Sequence, residues 1–196
     1  MTQTLEREVL WTGIGGQGVQ LAAKILAMAA TREGREVMSL GTYGGTMRGG
    51  NTDATLIVSD RPVSAPPMVS ELAGALAMHH QFFRPLREKL RDDALVVVNE
   101  SLFEGEVAPA RQRVFAIPAT RLATELGSPL SASMVLVAAY ACITELAGLA
   151  SLIAGMREAI PPYRRQHLES NEKALRLGFE QAPAGAVSVW AAGEPA

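Results

Sequence analysis

The chain holds a single cysteine, Cys142, in 196 residues. One thiol cannot close an intrachain disulfide, ligate an iron–sulfur cluster alone or build a structural zinc site. Any electron-transfer metal therefore has to sit on another chain. Aromatic residues are also scarce, at 5%, so the core must be aliphatic and alanine-rich. No block of lysine or arginine is present: 18 basic residues stand against 20 acidic ones, a formal net charge of -2. That excludes the basic field that sequence-independent nucleic-acid binding requires. The most membrane-like stretch, Leu126 to Thr144, is uncharged, but Gly127, Ser128, Pro129, Ser131 and Ser133 crowd its first half. About 11 strongly apolar residues remain where a span needs about 20, so the stretch reads as a buried helix. The opening MTQTLEREV has two glutamates and no apolar run, unlike a secretory signal. The expected compartment is the cytoplasm.

What is present is the composition of a globular domain: 48% hydrophobic and 19% charged residues. Strand-like runs at Arg7–Thr12, Arg35–Leu40, Thr52–Ser59, Gly74–Met78, Ala94–Asn99 and Arg113–Ile117 alternate with helical patterns early in the chain. Phe82, Leu86 and Leu90 recur at helical spacing, with Pro85 near a helix start. Helical patterns then cluster at Pro118–Leu126, Ser131–Leu146, Ser151–Ile160 and Arg164–Gly178. This order predicts an α/β fold: an open, mostly parallel, Rossmann-like sheet with helices on both faces and a helical C-terminal part. Residues 1–180 form one domain in this reading, and 181–196 an extended tail. The helix predicted over Gln17–Arg32 is apolar nearly all round, interrupted by Gln20 and Lys24 before Thr31. Such a helix is covered on two sides, here by the sheet and by a neighbouring subunit.

Two glycine segments carry the functional signal. Gly13-Ile14-Gly15-Gly16-Gln17-Gly18 fits Gly-x-Gly-x-x-Gly between a strand and a helix. Glycines there permit a tight turn and close approach of a ligand to the backbone, and the helix N-terminus favours an anion. The bland alternative is that these glycines only allow helix–strand packing. A dinucleotide site would also want an acid at the end of the second strand, where Ser39, Leu40 and Gly41 stand. That disfavours NAD and leaves a free-standing nucleotide-binding oxidoreductase as an alternative, beside a non-catalytic assembly module. The second segment, Thr42-Tyr43-Gly44-Gly45-Thr46-Met47-Arg48-Gly49-Gly50-Asn51, follows the next strand. In doubly wound sheets such loops converge on one crevice. Arg48 is the fixed positive charge in that run, able to make a bidentate contact to phosphate or carboxylate, or equally to pair with an acid of this chain or a partner. The candidate binding set is Gly13, Gly15, Gly16, Gln17, Gly18, Thr42, Tyr43, Arg48 and Gly49, with no metal ligands.

GIGGQGVQLAAKILAMAA, then TYGGTMRGGNTDATLIVSD followed by RPVSAP, and ESNEKALRLGFE near the end resemble the gamma subunit or domain of the 2-oxoacid:ferredoxin (acceptor) oxidoreductases. The resemblance covers about residues 7 to 179. It implies an accessory subunit of a complex that oxidatively decarboxylates a 2-oxo acid to an acyl-CoA, with coenzyme A handled as a substrate at this subunit. Thiamine diphosphate with Mg would sit on the alpha and beta subunits, and iron–sulfur clusters on a further subunit. Three positions depart from the family pattern: Thr46 and Gly74 where an acid is frequent, and Ser133 where an asparagine often opens the late helix.

The remaining reactive residues have ordinary readings. Cys142 lies in an apolar helix and reads as a buried, inert thiol. His79 and His80 lack the companions of a metal site, and His167 reads as exposed. Asn171 shares a helical face with Leu168, Leu175 and Phe179 and would tie that helix to a loop. With no nucleophile–base set or carboxylate pair in the pattern, no independent catalytic centre is expected.

Overall fold

The apolar run that opens the chain becomes a central strand. The computed structural model describes residues 6–44, 49–63, 70–104 and 112–188. In it β1 (Glu6–Ile14) lies between β3 (Asn51–Ser59) and β4 (Leu72–Ala77). The full order is β2-β3-β1-β4-β5-β6, with β2 at Glu36–Tyr43, β5 at Leu90–Asn99 and β6 at Arg113–Ile117. β1, β4, β5 and β6 run parallel. β3 is antiparallel to both β1 and β2. Parallel neighbours need a crossover of about a dozen residues or more, and the connection 44–50 is too short for one. The sheet is therefore mixed but mostly parallel, as the strand–helix alternation predicts.

The pleat sorts the side chains. Val9, Trp11, Leu56, Leu76, Leu95 and Val97 join one buried cluster with the helices, while Leu10, Ala75, Ala77, Val96 and Val98 join a second on the opposite face. The two faces are covered unequally. Among the described residues all five α-helices contribute to the first cluster: α1 (Val19–Arg32), α2 (Ala119–Glu125), α3 (Ala132–Thr144), α4 (Leu149–Ala159) and α5 (Leu168–Gln181). The second face is covered by a 3-10 turn that contributes Leu86 and by Phe83, the residue just before it. The helix expected around Phe82–Leu90 is thus a pair of 3-10 turns, His80–Phe82 and Arg84–Lys89. Pro85 sits at the start of the second turn, and Leu90 already opens β5, which leaves no length for an α-helix. The helix expected from Arg164 likewise begins with a 3-10 turn, Pro162–His167, before α5.

α1 is covered on both sides, as its composition demands, but the second cover is intramolecular. Gly155 of α4 lies so close that a Cβ there would meet Ile25 O at 3.1 Å and Met28 Cβ at 3.3 Å. Arg32 pairs with Glu158 at 2.6 Å beside that contact. This replaces the neighbouring subunit expected from sequence. Gln20 breaks the apolar pattern for a local reason: its amide donates to the carbonyls of Asp53 and Thr42, joining α1 to β3 and β2. α3 is buried along its entire length, the environment that an all-apolar helix requires. No helix of the described residues is long and apolar enough to cross a membrane.

A cleft at the strand ends

The first glycine segment leaves the carboxyl end of β1 as a turn held by its own atoms. Ile14 N donates to Gln17 Oε1 at 2.8 Å, and Gln17 N donates to Ile14 O at 3.0 Å. Gly15 N donates to Gly50 O at 2.9 Å, which joins the second glycine segment to the first. The glycines of this segment do different work. A Cβ on Gly13 would lie 2.9 Å from Val19 Cγ2 and 3.0 Å from Met78 Cβ, so this glycine serves helix–strand packing. Gly16 and Gly18 have φ of +107° and +77°, conformations that side chains resist. No backbone partner takes the N–H of Gly16 or Gly18 among the described residues. Gly18 caps α1 without any side-chain bond, and no acid stands in the first turn.

The strand order marks the place where a ligand belongs. From β1 the chain passes through α1 to β2 on one side, whereas β4, on the other side of β1, leads on to β5 and β6. In open α/β sheets the crevice at such a switch point, outside the carboxyl ends of the strands, is the usual site. A small recess of about 140 Å³ lies there, lined by Gly16, Gln17, Met78, Leu102, Thr120 and the 129–132 turn. Asn99, fully buried at the end of β5, ties two of the lining residues together. Its Nδ2 donates to Met78 O at 3.2 Å and Thr120 Oγ1 at 2.8 Å, and its Oδ1 accepts from Thr120 N at 3.1 Å.

Beside the recess opens a larger cleft of about 840 Å³, within the range of small-molecule sites. Gly16 and Gly18 form one wall. The other is built by the C-terminal helical part: Ser128, Ser131, Ser133, Tyr163, Arg164, His167, Ser170 and Asn171 contribute its polar groups. Ser131 Oγ donates to Asn171 Oδ1 at 2.8 Å and meets Ser128 Oγ at 2.8 Å, so Asn171 does tie α5 to a loop. Among the described residues no carboxylate lines the cleft.

Of the candidate residues read from sequence, Gly16 and Gly18 line the cleft, Gln17 lines the recess and braces the loop, and Gly13 is buried packing. Thr42 is exposed at the end of β2, and Gly49 is exposed with φ of +76°. Neither lines the cleft. The side chain of Tyr43 and all of Arg48 lie outside the described residues. The far wall was missed. Its sequence signal was the serine run that interrupts an apolar stretch, together with the basic PPYRRQH that opens the last helix.

Cys142 is buried, and burial together with the Glu145 carboxylate pushes its thiol pKa up. The His79 and His80 rings stack with centroids 4.5 Å apart. Burial and the neighbouring His80 hold His79 below its ordinary pKa, against the pull of Glu104. Gly74, where the family pattern favours an acid, leaves room for a phenol: a Cβ there would lie 2.7 Å from the Tyr140 hydroxyl. Burial holds that hydroxyl well above its usual pKa.

Sheet, switch-point cleft and helical C-terminal wall together define a Rossmann-like α/β chain. Residues 8–181 match the pyruvate ferredoxin/flavodoxin oxidoreductase family, and the chain belongs to it, with the architecture of its gamma subunit. It is 32% identical to the 2-oxoglutarate synthase subunit KorC of Methanothermobacter thermautotrophicus, over 90% of this chain and 95% of that one. It is also 32% identical to the pyruvate synthase subunit PorC of the same organism, over 89% and 94%. Among solved structures, the gamma subunit of a keto/oxoacid ferredoxin oxidoreductase from Geobacter sulfurreducens superposes with a TM-score of 0.75 at 24% identity, over 90% of this chain and 98% of that one. A 2-oxoglutarate:ferredoxin oxidoreductase from Magnetococcus marinus, solved with 2-oxoglutarate, coenzyme A and succinyl-CoA, does so with 0.79 at 18% identity. That match covers 94% of this chain and 32% of the larger one.

Proposed function

We propose that this chain is the gamma subunit of a complex that converts a 2-oxo acid and coenzyme A to an acyl-CoA and CO2, passing the electron pair to an acceptor. Partner subunits supply thiamine diphosphate, Mg and iron–sulfur clusters for the decarboxylation and electron transfer. This chain helps to bind coenzyme A. The observation that carries the reading is the joining of the two glycine segments, Gly15 N to Gly50 O, beside a cleft at the switch point. The N–H groups of Gly16 and Gly18, without a backbone partner among the described residues, and the uncapped start of α1 favour an anionic group there, and coenzyme A carries several phosphates. Arg48 belongs to the proposed set by its place in the sequence.

The test uses the assembled enzyme. A methyl group at Gly16 meets open space but sits at a left-handed φ, so Gly16→Ala alters the turn without crowding the core. Arg48→Ala removes a charge-assisted contact and is expected to raise KM for coenzyme A roughly ten- to a hundred-fold. Gly16→Ala is expected to raise it by blocking close approach of the ligand to the backbone. KM for the 2-oxo acid should stay unchanged. A lower yield of complex with an unaltered coenzyme A constant would assign these residues to subunit contact and remove them from the site.

A further inference from the structure

Ser133 is 1% exposed, yet it lines the cleft. Its Oγ lies 2.6 Å from the point where a Cβ on Gly18 would be, so the hydroxyl stands over the uncapped start of α1. Among the described residues it has no hydrogen-bond partner. A buried hydroxyl normally finds one. The neighbouring serines differ, because Ser128, Ser131 and Asn171 satisfy one another. The charges around the cleft point one way. Neither α1 nor α3 has an acid in its first turn, and no described carboxylate lines the walls. Arg164 does line them, set over the ring of Tyr163 at 5.6 Å, and among the described residues it has no carboxylate partner.

We propose that Ser133 marks a phosphate subsite. One phosphate oxygen accepts from the Ser133 hydroxyl and from the free N–H groups at the start of α1, and Arg164 supplies the opposing charge. A helix N-terminus and a guanidinium are both suited to this anion. The subsite rests on the coenzyme A reading only for which phosphate compound arrives. The subsite itself is set by this chain's own walls.

The test is calorimetric titration of the full chain with adenosine 3′,5′-bisphosphate, inorganic pyrophosphate and phosphate-free pantetheine. The expected result is binding of the bisphosphate that weakens as salt rises. It should drop roughly ten-fold or more in Ser133→Ala and in Arg164→Gln, with no such change for pantetheine. A nucleotide preference over pyrophosphate supports a phosphate ester as ligand, and equal binding supports bare phosphate in the same subsite. Phosphate binding that ignores both substitutions overturns the proposal, as does no binding of either phosphate probe. If the coenzyme A constant of the complex responds to Gly16→Ala while phosphate binding ignores Ser133→Ala, the coenzyme A reading stands and the subsite falls.

Discussion

Gly178 leaves no room for a methyl group. A Cβ at this position would lie 2.1 Å from Val135 O and 2.8 Å from Val135 Cα, so α5 crosses α3 backbone to backbone. Alanine would gain about 1 kcal/mol of helix propensity. Overpacking costs about 1–3 kcal/mol and sometimes more, and backbone atoms cannot rotate aside. We expect Gly178→Ala to destabilise the chain by about 2 kcal/mol, read as a lower urea midpoint with unchanged slope; an unchanged midpoint would show that the two helices can separate freely. The motif glycines should divide in the same assay. Gly13→Ala, crowded by Val19 and Met78, should lose stability, again by about 1–3 kcal/mol. Gly16→Ala meets no atom and should lose about 1 kcal/mol from backbone strain alone. Cys142 makes a third residue-scale prediction. Burial and Glu145 keep its thiol protonated, and only a thiolate alkylates readily. Iodoacetamide at neutral pH should therefore leave Cys142 unlabelled in the native chain and label it in urea.

Individual elements show what the sequence could and could not reveal. α1 and the apolar part of β5 were legible because long or strongly apolar patterns are local properties. The turns around Pro85 were misread as a helix because Phe82, Leu86 and Leu90 have the right spacing. Spacing does not say that Leu90 belongs to the next strand. The cover over α1 was unreadable, since it depends on Gly155 in a helix far along the chain meeting Ile25. The glycine turn was readable because backbone conformation dictates its residues. Its opposite wall was hidden, because the contact between Ser131 and Asn171 bridges a separation of 40 residues. One element-scale test concerns the residues after α5. Gly185 N and Val187 N donate to Cys142 O and Ile143 O, both at 2.9 Å, closing the end of α3. Helix C-terminal carbonyls need such partners. Removing residues 182–196 should therefore cost about 1–3 kcal/mol and speed amide exchange in the last turn of α3. Unchanged exchange there would show that these bonds carry no weight.

At the scale of the whole molecule, α1 and α3 are covered by the chain's own helices. The apolar surface left over lies elsewhere. Leu130 is 81% exposed and Tyr163 74% exposed, and both stand on the cleft that the glycine turn opens into. In the proposed reading this chain holds a ligand for chemistry performed on its partners. The most direct measurement is therefore reconstitution by omission. The partner subunits are purified with and without this chain, and coenzyme A-dependent oxidation of a 2-oxo acid is followed with an artificial electron acceptor. The purified chain alone should have no turnover, and coenzyme A-dependent turnover by its partners should require its addition. Turnover of a 2-oxo acid by the isolated chain, or full coenzyme A-dependent activity without it, would show that this chain is not an accessory subunit that helps to bind coenzyme A.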